Sequence, residues 1–315
     1  MNSKRVNWAF LCLILLNLAL YALIFICLLQ GIAIFDVGIV ANLLISQLLI
    51  LSPALLFLFA SRKKTETGRL NEMLGFRKMK VSSFFMVLLF TFLIMPMSTA
   101  LNAISMLFVD NTVEAISGDV LQMPFPVMLF MMGIFGPFSE EFVFRGIIFR
   151  GYKNSGSVFW SVFWSALLFG LMHLNFNQAA YAIALGIMFA LLVEATGSLW
   201  SSVVAHMAFN SWQVCMMYLS ERIPQELLGP EVDLTQEILI TAIGPYLLIA
   251  AVATPLAVCV LIWLSKNEKR EAQFCSICAH RREKKEAMVS VPLIIAIVLC
   301  LAYMSMEYIM ALFMG

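Results

Sequence analysis

The chain has little charge. Of its 315 residues only 12% are Asp, Glu, Lys or Arg, while 62% are apolar; soluble domains run at roughly 25% and 45–50%. A water-soluble globular protein is therefore excluded. Lys and Arg number 20 and Asp and Glu 19, a formal net charge of +1, so no basic field is available to hold nucleic acid. Seven cysteines stand at 12, 27, 215, 259, 275, 278 and 300, most of them inside apolar runs. They form no disulfide framework, leave the redox compartment open, and at Cys12 and Cys27 read as plain hydrophobes. Histidine is scarcest, at three.

What is present is a series of long apolar runs. At roughly 20 residues per bilayer crossing, spans fall near 8–29, 37–60, 81–108, 125–149, 158–174, 179–193, 199–219, 238–264 and 289–313. The first run is uncharged over 6–35, longer than the roughly 7–15 residues of a signal-peptide core and without a clear small-residue cleavage site, so it reads as a retained span. The expected fold is an all-α polytopic transmembrane helical bundle of about nine spans. It divides into 1–124, with spans one to three and a basic loop at 61–80; 125–217, with spans four to seven; and 218–315, with spans eight and nine and a basic loop at 266–288.

Cation placement tests that count, because one span too many would scramble which loops share a side. With the N-terminus inside, the inner segments hold Lys4 and Arg5, seven cations between 62 and 80, Arg150 and Lys153, and seven between 266 and 285, which is 18 of the 20. The outer loops carry Arg222 alone, among Asp110, Glu114, Asp119, Glu221, Glu226, Glu231 and Asp233. The expected topology is N-in, C-out. With no targeting extension ahead of the first span, a prokaryotic plasma membrane is the expected location, and the lipid bilayer is the first partner.

Leu70, Met73, Leu74 and Phe76, set among the cations of 61–80, suit a short helix lying on anionic headgroups. In the other basic loop, Cys275-Ser-Ile-Cys278-Ala-His280 offers three zinc ligands in six residues, but lacks the fourth ligand and second spaced pair of a structural site. A solvated topological loop is the expectation there.

Removing the loops leaves five charged side chains: Glu140, Glu141, Arg145, Glu194 and Glu307. Ionisable groups within a span are costly and are functional candidates by default. Glu194 lies near the inner end of span six and Glu307 near the outer end of span nine, where each can reach an interface. The other three fall in Ser139-Glu140-Glu141-Phe-Val-Phe-Arg145, about 15 Å of helix from the inner loop. Glu141 and Arg145, at i,i+4, share a face and can neutralise one another, which a packing ion pair would explain. Glu140 projects about 100° away and has no such partner. Apolar surroundings and a neighbouring carboxylate both disfavour the ionised form of a carboxyl group, the condition for acid–base work near neutral pH. Pro137, just before the pair, can open a kink with freed backbone carbonyls.

Two of the three histidines also lie in spans. Phe169-Gly-Leu-Met-His173 ends span five, and His206-Met-Ala-Phe-Asn210 sits on span seven. His206 and Asn210 share a face at i,i+4 and can point hydrogen-bond donors into one cavity; His173 and Asn177 have the same spacing, but Asn177 falls past the expected helix end. On its own, an intramembrane histidine is a packing residue. Two of them together with a mid-membrane glutamate pair read as a site.

Glu140-Glu141-x-x-x-Arg145, Phe169-x-x-x-His173 and His206-x-x-x-Asn210, in this order on successive apolar segments, resemble the three motifs of the CAAX-prenyl-protease and bacteriocin-processing family of intramembrane glutamic endopeptidases. Thr196-Gly-Ser-Leu-Trp200 before His206 is also similar to that family, and the likeness covers roughly 125–217. It implies hydrolysis of a peptide bond in a membrane-associated peptide or protein, prenylated or bacteriocin-like. Glu140 would be the general base, though Glu141 can share that role. His173 would position the water, His206 and Asn210 would stabilise the oxyanion, and Glu141 and Arg145 would hold the site together. No cofactor is implied: two Glu and two His could bind zinc, but the spacing is unlike His-Glu-x-x-His, and Arg145 opposes a cation. A zinc-dependent protease using the same residues is the alternative. A proton-coupled transporter or a non-proteolytic bacteriocin-immunity or scaffold protein are further alternatives; the spans lack the paired repeats of transporters, and none of the motifs is lost.

Overall fold

A computed structural model describes residues 2–30, 38–61, 73–223, 236–277 and 287–314. Among the described residues nine long helices follow the apolar runs: α1 (Ser3–Leu29), α2 (Gly38–Ser61), α3 (Val81–Ser105), α4 (Phe125–Ser155), α5 (Val158–Leu171), α6 (Phe176–Thr196), α7 (Leu199–Ser220), α8 (Gln236–Asn267) and α9 (Val291–Met314). No strand occurs among the described residues, as a chain that must satisfy its backbone hydrogen bonds inside lipid requires. The all-α polytopic bundle is the fold.

Among the described residues seven helices are, by length and composition, apolar enough to cross a membrane on their own; α5 and α7 are not among them. The 14 residues of α5 reach about 21 Å at 1.5 Å per residue, short of a hydrocarbon core of about 30 Å. The 22 residues of α7 are long enough, but Ser201, Ser202, His206, Asn210, Ser211 and Gln213 dilute their apolarity. Both helices pack against other helices, α5 on α6 and α7 on α4, so neither must present a wholly apolar surface to lipid.

Two apolar cores flank the middle of the bundle. One joins α1, α2, α4, α5 and α9 through residues such as Phe10, Ile50, Phe144, Leu168 and Cys300. The other joins α3, α6, α7 and α8 through Phe90, Phe189, Ala205 and Leu261. Between α5 and α6 the contact is close because it uses small residues: a Cβ on Gly186 would stand 2.9 Å from the Cα of Ala166. Small residues bring helices together where lipid tails supply no hydrophobic drive.

Segments assigned to one side of the membrane meet at one end. The Ser3 N–H donates to Ser155 at 2.8 Å, Asn7 donates to the Met288 carbonyl at 2.9 Å, and the Lys80 N–H donates to Glu268 at 3.0 Å. Glu194, almost fully buried, takes Lys153 at 2.5 Å and Arg270 at 3.4 Å, so its charge is neutralised at that end. At the opposite end Asn177 bonds Asn102 and Ser105, and Tyr218 bonds the carbonyls of Val120 and Met123.

The segment expected to lie on headgroups does not do so where it is described. Residues 62–72 are outside the described set, but Leu74 is buried, and Phe76 stacks among Phe138, Phe142 and Trp200. The Gly75 carbonyl accepts from the Leu199 N–H at 2.8 Å, and Ser198 donates to the Arg77 carbonyl. Docking on α4 and α7 satisfies both the apolar side chains and the backbone, which a headgroup surface would do only in part. Gly75 has φ +79°, a left-handed conformation that glycine adopts without strain, and a Cβ there would displace the Arg150 guanidinium. In the second basic loop Cys275 is exposed, whereas Cys278 and His280 lie outside the described residues.

Candidate active site

The site is built on an irregular helix. α4 changes from α-helical (Phe125–Met128) to π-helical (Leu129–Phe135), back to α-helical (Gly136–Glu141), to π-helical (Phe142–Phe149) and again to α-helical (Arg150–Ser155). π-helical turns are rare and concentrate at functional sites. Pro137 accounts for part of this irregularity. The Gly136 N–H donates to Met131, and Pro137, having no N–H, cannot serve the next carbonyl, Met132. α7 supplies the missing donors: Asn210 Nδ2 reaches the Met132 carbonyl and Ser211 Oγ the Gly133 carbonyl, each at 3.2 Å. The expected freed carbonyl is present, and it ties α4 to α7.

On α4, Glu141 and Arg145 are both fully buried and pair at 2.8 Å. Arg145 also donates to the Gly186 carbonyl on α6 at 3.2 Å, and its guanidinium lies 4.3 Å from the centroid of Phe169 and 5.5 Å from that of Phe189. A desolvated cation is thus compensated by a carboxylate, a carbonyl and two aromatic faces. The same Glu141 oxygen lies 3.0 Å from His206 Nδ1. Since a carboxylate only accepts, Nδ1 carries the proton of that bond. The other ring nitrogen, Nε2, stands 3.9 Å from Glu140 Oε2.

Glu140 is therefore the odd member of its pair. Its side chain retains 14% exposure and makes no hydrogen bond among the described residues. His173 stands at the end of α5, half-buried, with Nδ1 2.9 Å from the Phe169 carbonyl. A carbonyl also only accepts, so Nδ1 bears the proton and the neutral ring keeps a lone pair on Nε2. The Phe169 ring separates the two histidines, at 5.3 Å from His173 and 5.8 Å from His206 between centroids. Leu174, directly after His173, has φ +55°; a bulky residue in the left-handed region stores backbone strain of about 1–3 kcal/mol, a feature that clusters at functional sites. The Asn175 side chain then caps α6 by accepting from the Gln178 N–H at 2.7 Å, while its own amide donates to the His173 carbonyl at 3.1 Å. The turn that ends α5 therefore fixes the histidine.

Glu140, Glu141, Arg145 and His206 come together, with Asn210 one turn beyond His206 and His173 across the Phe169 ring. Asn177 does not join them; it bonds to α3. Sequence reasoning missed Phe189, whose ring lies 5.1 Å from His206, and the Gly186 carbonyl. Neither carries a spacing signal, because both come from α6 and meet α4 and α7 only in the fold.

These observations define a class: a multi-pass membrane protein with a Glu-Arg-His cluster buried inside its helical bundle. Residues 122–212, which contain all six candidate residues, match the family model described as type II CAAX prenyl endopeptidase Rce1-like. The chain is 33% identical over 98 residues to the "Putative membrane peptidase YdiL" of Bacillus subtilis (strain 168), covering 31% of this chain. It is 30% identical over 101 residues to the "Membrane-embedded CAAX protease MroQ" of Staphylococcus aureus (strain USA300), covering 30% of this chain. The match spans about two fifths of each relative's length, 40% and 41%. No solved structure matches the chain.

Proposed function

We propose that the protein is a membrane-embedded endopeptidase that hydrolyses a peptide bond in a membrane-associated peptide or protein with a water activated by Glu140. The observation that carries this reading is the division between adjacent glutamates. Glu141 is committed to Arg145 and His206, while Glu140, without a hydrogen bond and partly exposed, faces His206 Nε2 at 3.9 Å.

In the proposed reaction the Glu140 carboxylate removes a proton from water as the water oxygen bonds to the scissile carbonyl carbon. The tetrahedral intermediate collapses with rupture of the C–N bond, and the proton passes from Glu140 to the departing amine. His173, with its lone pair on Nε2, orients the attacking water. The Asn210 amide keeps one N–H after bonding Met132 and can donate to the oxyanion. Neutral His206 spends its single N–H on Glu141, so it donates to an oxyanion only with Nε2 protonated; Glu141 on Nδ1 provides the carboxylate that stabilises an imidazolium.

The mechanism proposed is metal-free. A zinc site needs three or four converging ligands, and no group of three His, Cys, Asp or Glu side chains converges in that way among the described residues. Arg145 moreover holds the carboxylate that would be the natural second ligand. The fit is poor, which supports a metal-free water.

Purified protein should cleave members of a membrane-embedded peptide library, with and without a chelator. Cleavage lost in Glu140→Ala and His173→Ala and unaffected by chelation is the expected result. Full activity of Glu140→Ala rejects the base assignment, and chelator sensitivity restores zinc. Absence of cleavage together with proton-coupled uptake in vesicles makes the protein a transporter.

A further inference from the structure

Gln47 on α2 is the only buried polar side chain of that helix among the described residues. Its Oε1 is fully buried without a hydrogen-bond partner among the described residues, and so is Ser139 Oγ. A polar group removed from water and left unpaired costs about 1–3 kcal/mol, and a leucine or methionine on α2 would avoid that cost.

The position of the amide suggests what it is for. Gly136 leaves a notch in α4, and Gln47 Nε2 lies 3.5 Å from where a Cβ on that residue would stand. Ser139 and Glu140 follow at i+3 and i+4 on the same face of the helix. Helical side chains lean toward the N-terminus, so Glu140 lies over the turn that contains Gly136. Gln47 therefore reaches from α2 to the turn of α4 over which Glu140 projects.

A peptide bond brought into the bundle carries an N–H and a C=O that find no water there and must be paired. A primary amide presents one acceptor and two donors in a plane, the complement of a peptide group. We infer that Gln47 is a substrate-binding residue that pairs with a backbone peptide group beside the bond attacked from Glu140. This rests on the endopeptidase reading above, and it extends the site to the N-terminal third of the chain, outside residues 122–212.

Gln47→Met keeps the volume and removes the amide. On a peptide cleaved by the wild type, kcat/KM is expected to fall at least tenfold, chiefly through KM, with an unchanged pH profile and an unchanged or higher thermal midpoint. Gln47→Leu should behave alike. If kcat/KM stays within twofold, the inference is overturned alone; a lowered midpoint with KM unchanged, or failure of both variants to fold, makes the amide structural and also overturns it. Absence of cleavage by the wild type overturns the endopeptidase reading as well.

Discussion

Glu140 and Glu141 are chemically identical neighbours, and 100° of helical rotation gives them different surroundings. Substituting Glu140 by Gln removes no hydrogen bond, so folding should be unaffected while turnover falls by about 10²–10⁴, the usual contribution of a positioned base. Peptide cleavage and thermal unfolding of the same preparation check both halves. Glu141→Gln should do the reverse at first: it leaves the fully buried Arg145 short of a countercharge, a change that typically costs about 3–5 kcal/mol. Equilibrium unfolding in mixed micelles measures this, and a loss below about 1 kcal/mol would reject the proposed support role. The sequence already separated the two glutamates, because i,i+4 spacing pairs Glu141 with Arg145. It left the place of His206 open, since the depth of a residue along its own span does not say which helix it faces.

At the scale of helices, α4 depends on α7 for hydrogen bonds that Pro137 denies it. Asn210→Ala orphans the Met132 carbonyl and should cost about 1–3 kcal/mol. In a Pro137→Ala background the restored N–H can serve that carbonyl, so the same substitution should cost at least about 0.5 kcal/mol less; additive losses in a double-mutant cycle would reject the coupling. Asn210 thus carries a structural duty beside its proposed chemical one, and kcat must be read against stability. The seam between α5 and α6 is tested by Gly186→Ala, whose Cβ would press on Ala166 at 2.9 Å. Overpacking of this kind costs about 1–3 kcal/mol, read as a lower thermal midpoint. The shortness of α5 and the polarity of α7 belong to this scale too. Apolar runs located both helices, but hydropathy could not tell a helix sheltered by its neighbours from one facing lipid.

For the whole molecule, the alternation of basic and acidic loops predicted which segments lie together. The contacts among Ser3, Lys80, Lys153, Glu194, Glu268, Arg270 and Met288 place them at one end. The expected orientation puts that end inside. Cys275 is exposed there, so a variant retaining this cysteine alone should react with a membrane-impermeant maleimide in inverted vesicles and not in intact cells. The opposite labelling pattern would reverse the topology. Residues 73–80 show the limit of such reasoning: read as a headgroup anchor, they dock by Leu74 and Phe76 on α4 and α7, because an amphipathic segment does not announce which apolar surface it will cover.

The sequence by itself determined the membrane, the helices and the residues worth suspecting, because each follows from local chemistry: apolar length, helical period and the cost of charge in lipid. Tertiary structure decided how those residues combine. It set His206 between two glutamates, sandwiched Arg145 between rings from α5 and α6, and brought Gln47 to the notch at Gly136. Such contacts join residues 24 to 89 positions apart, and their geometry depends on helix packing that no spacing along one helix encodes.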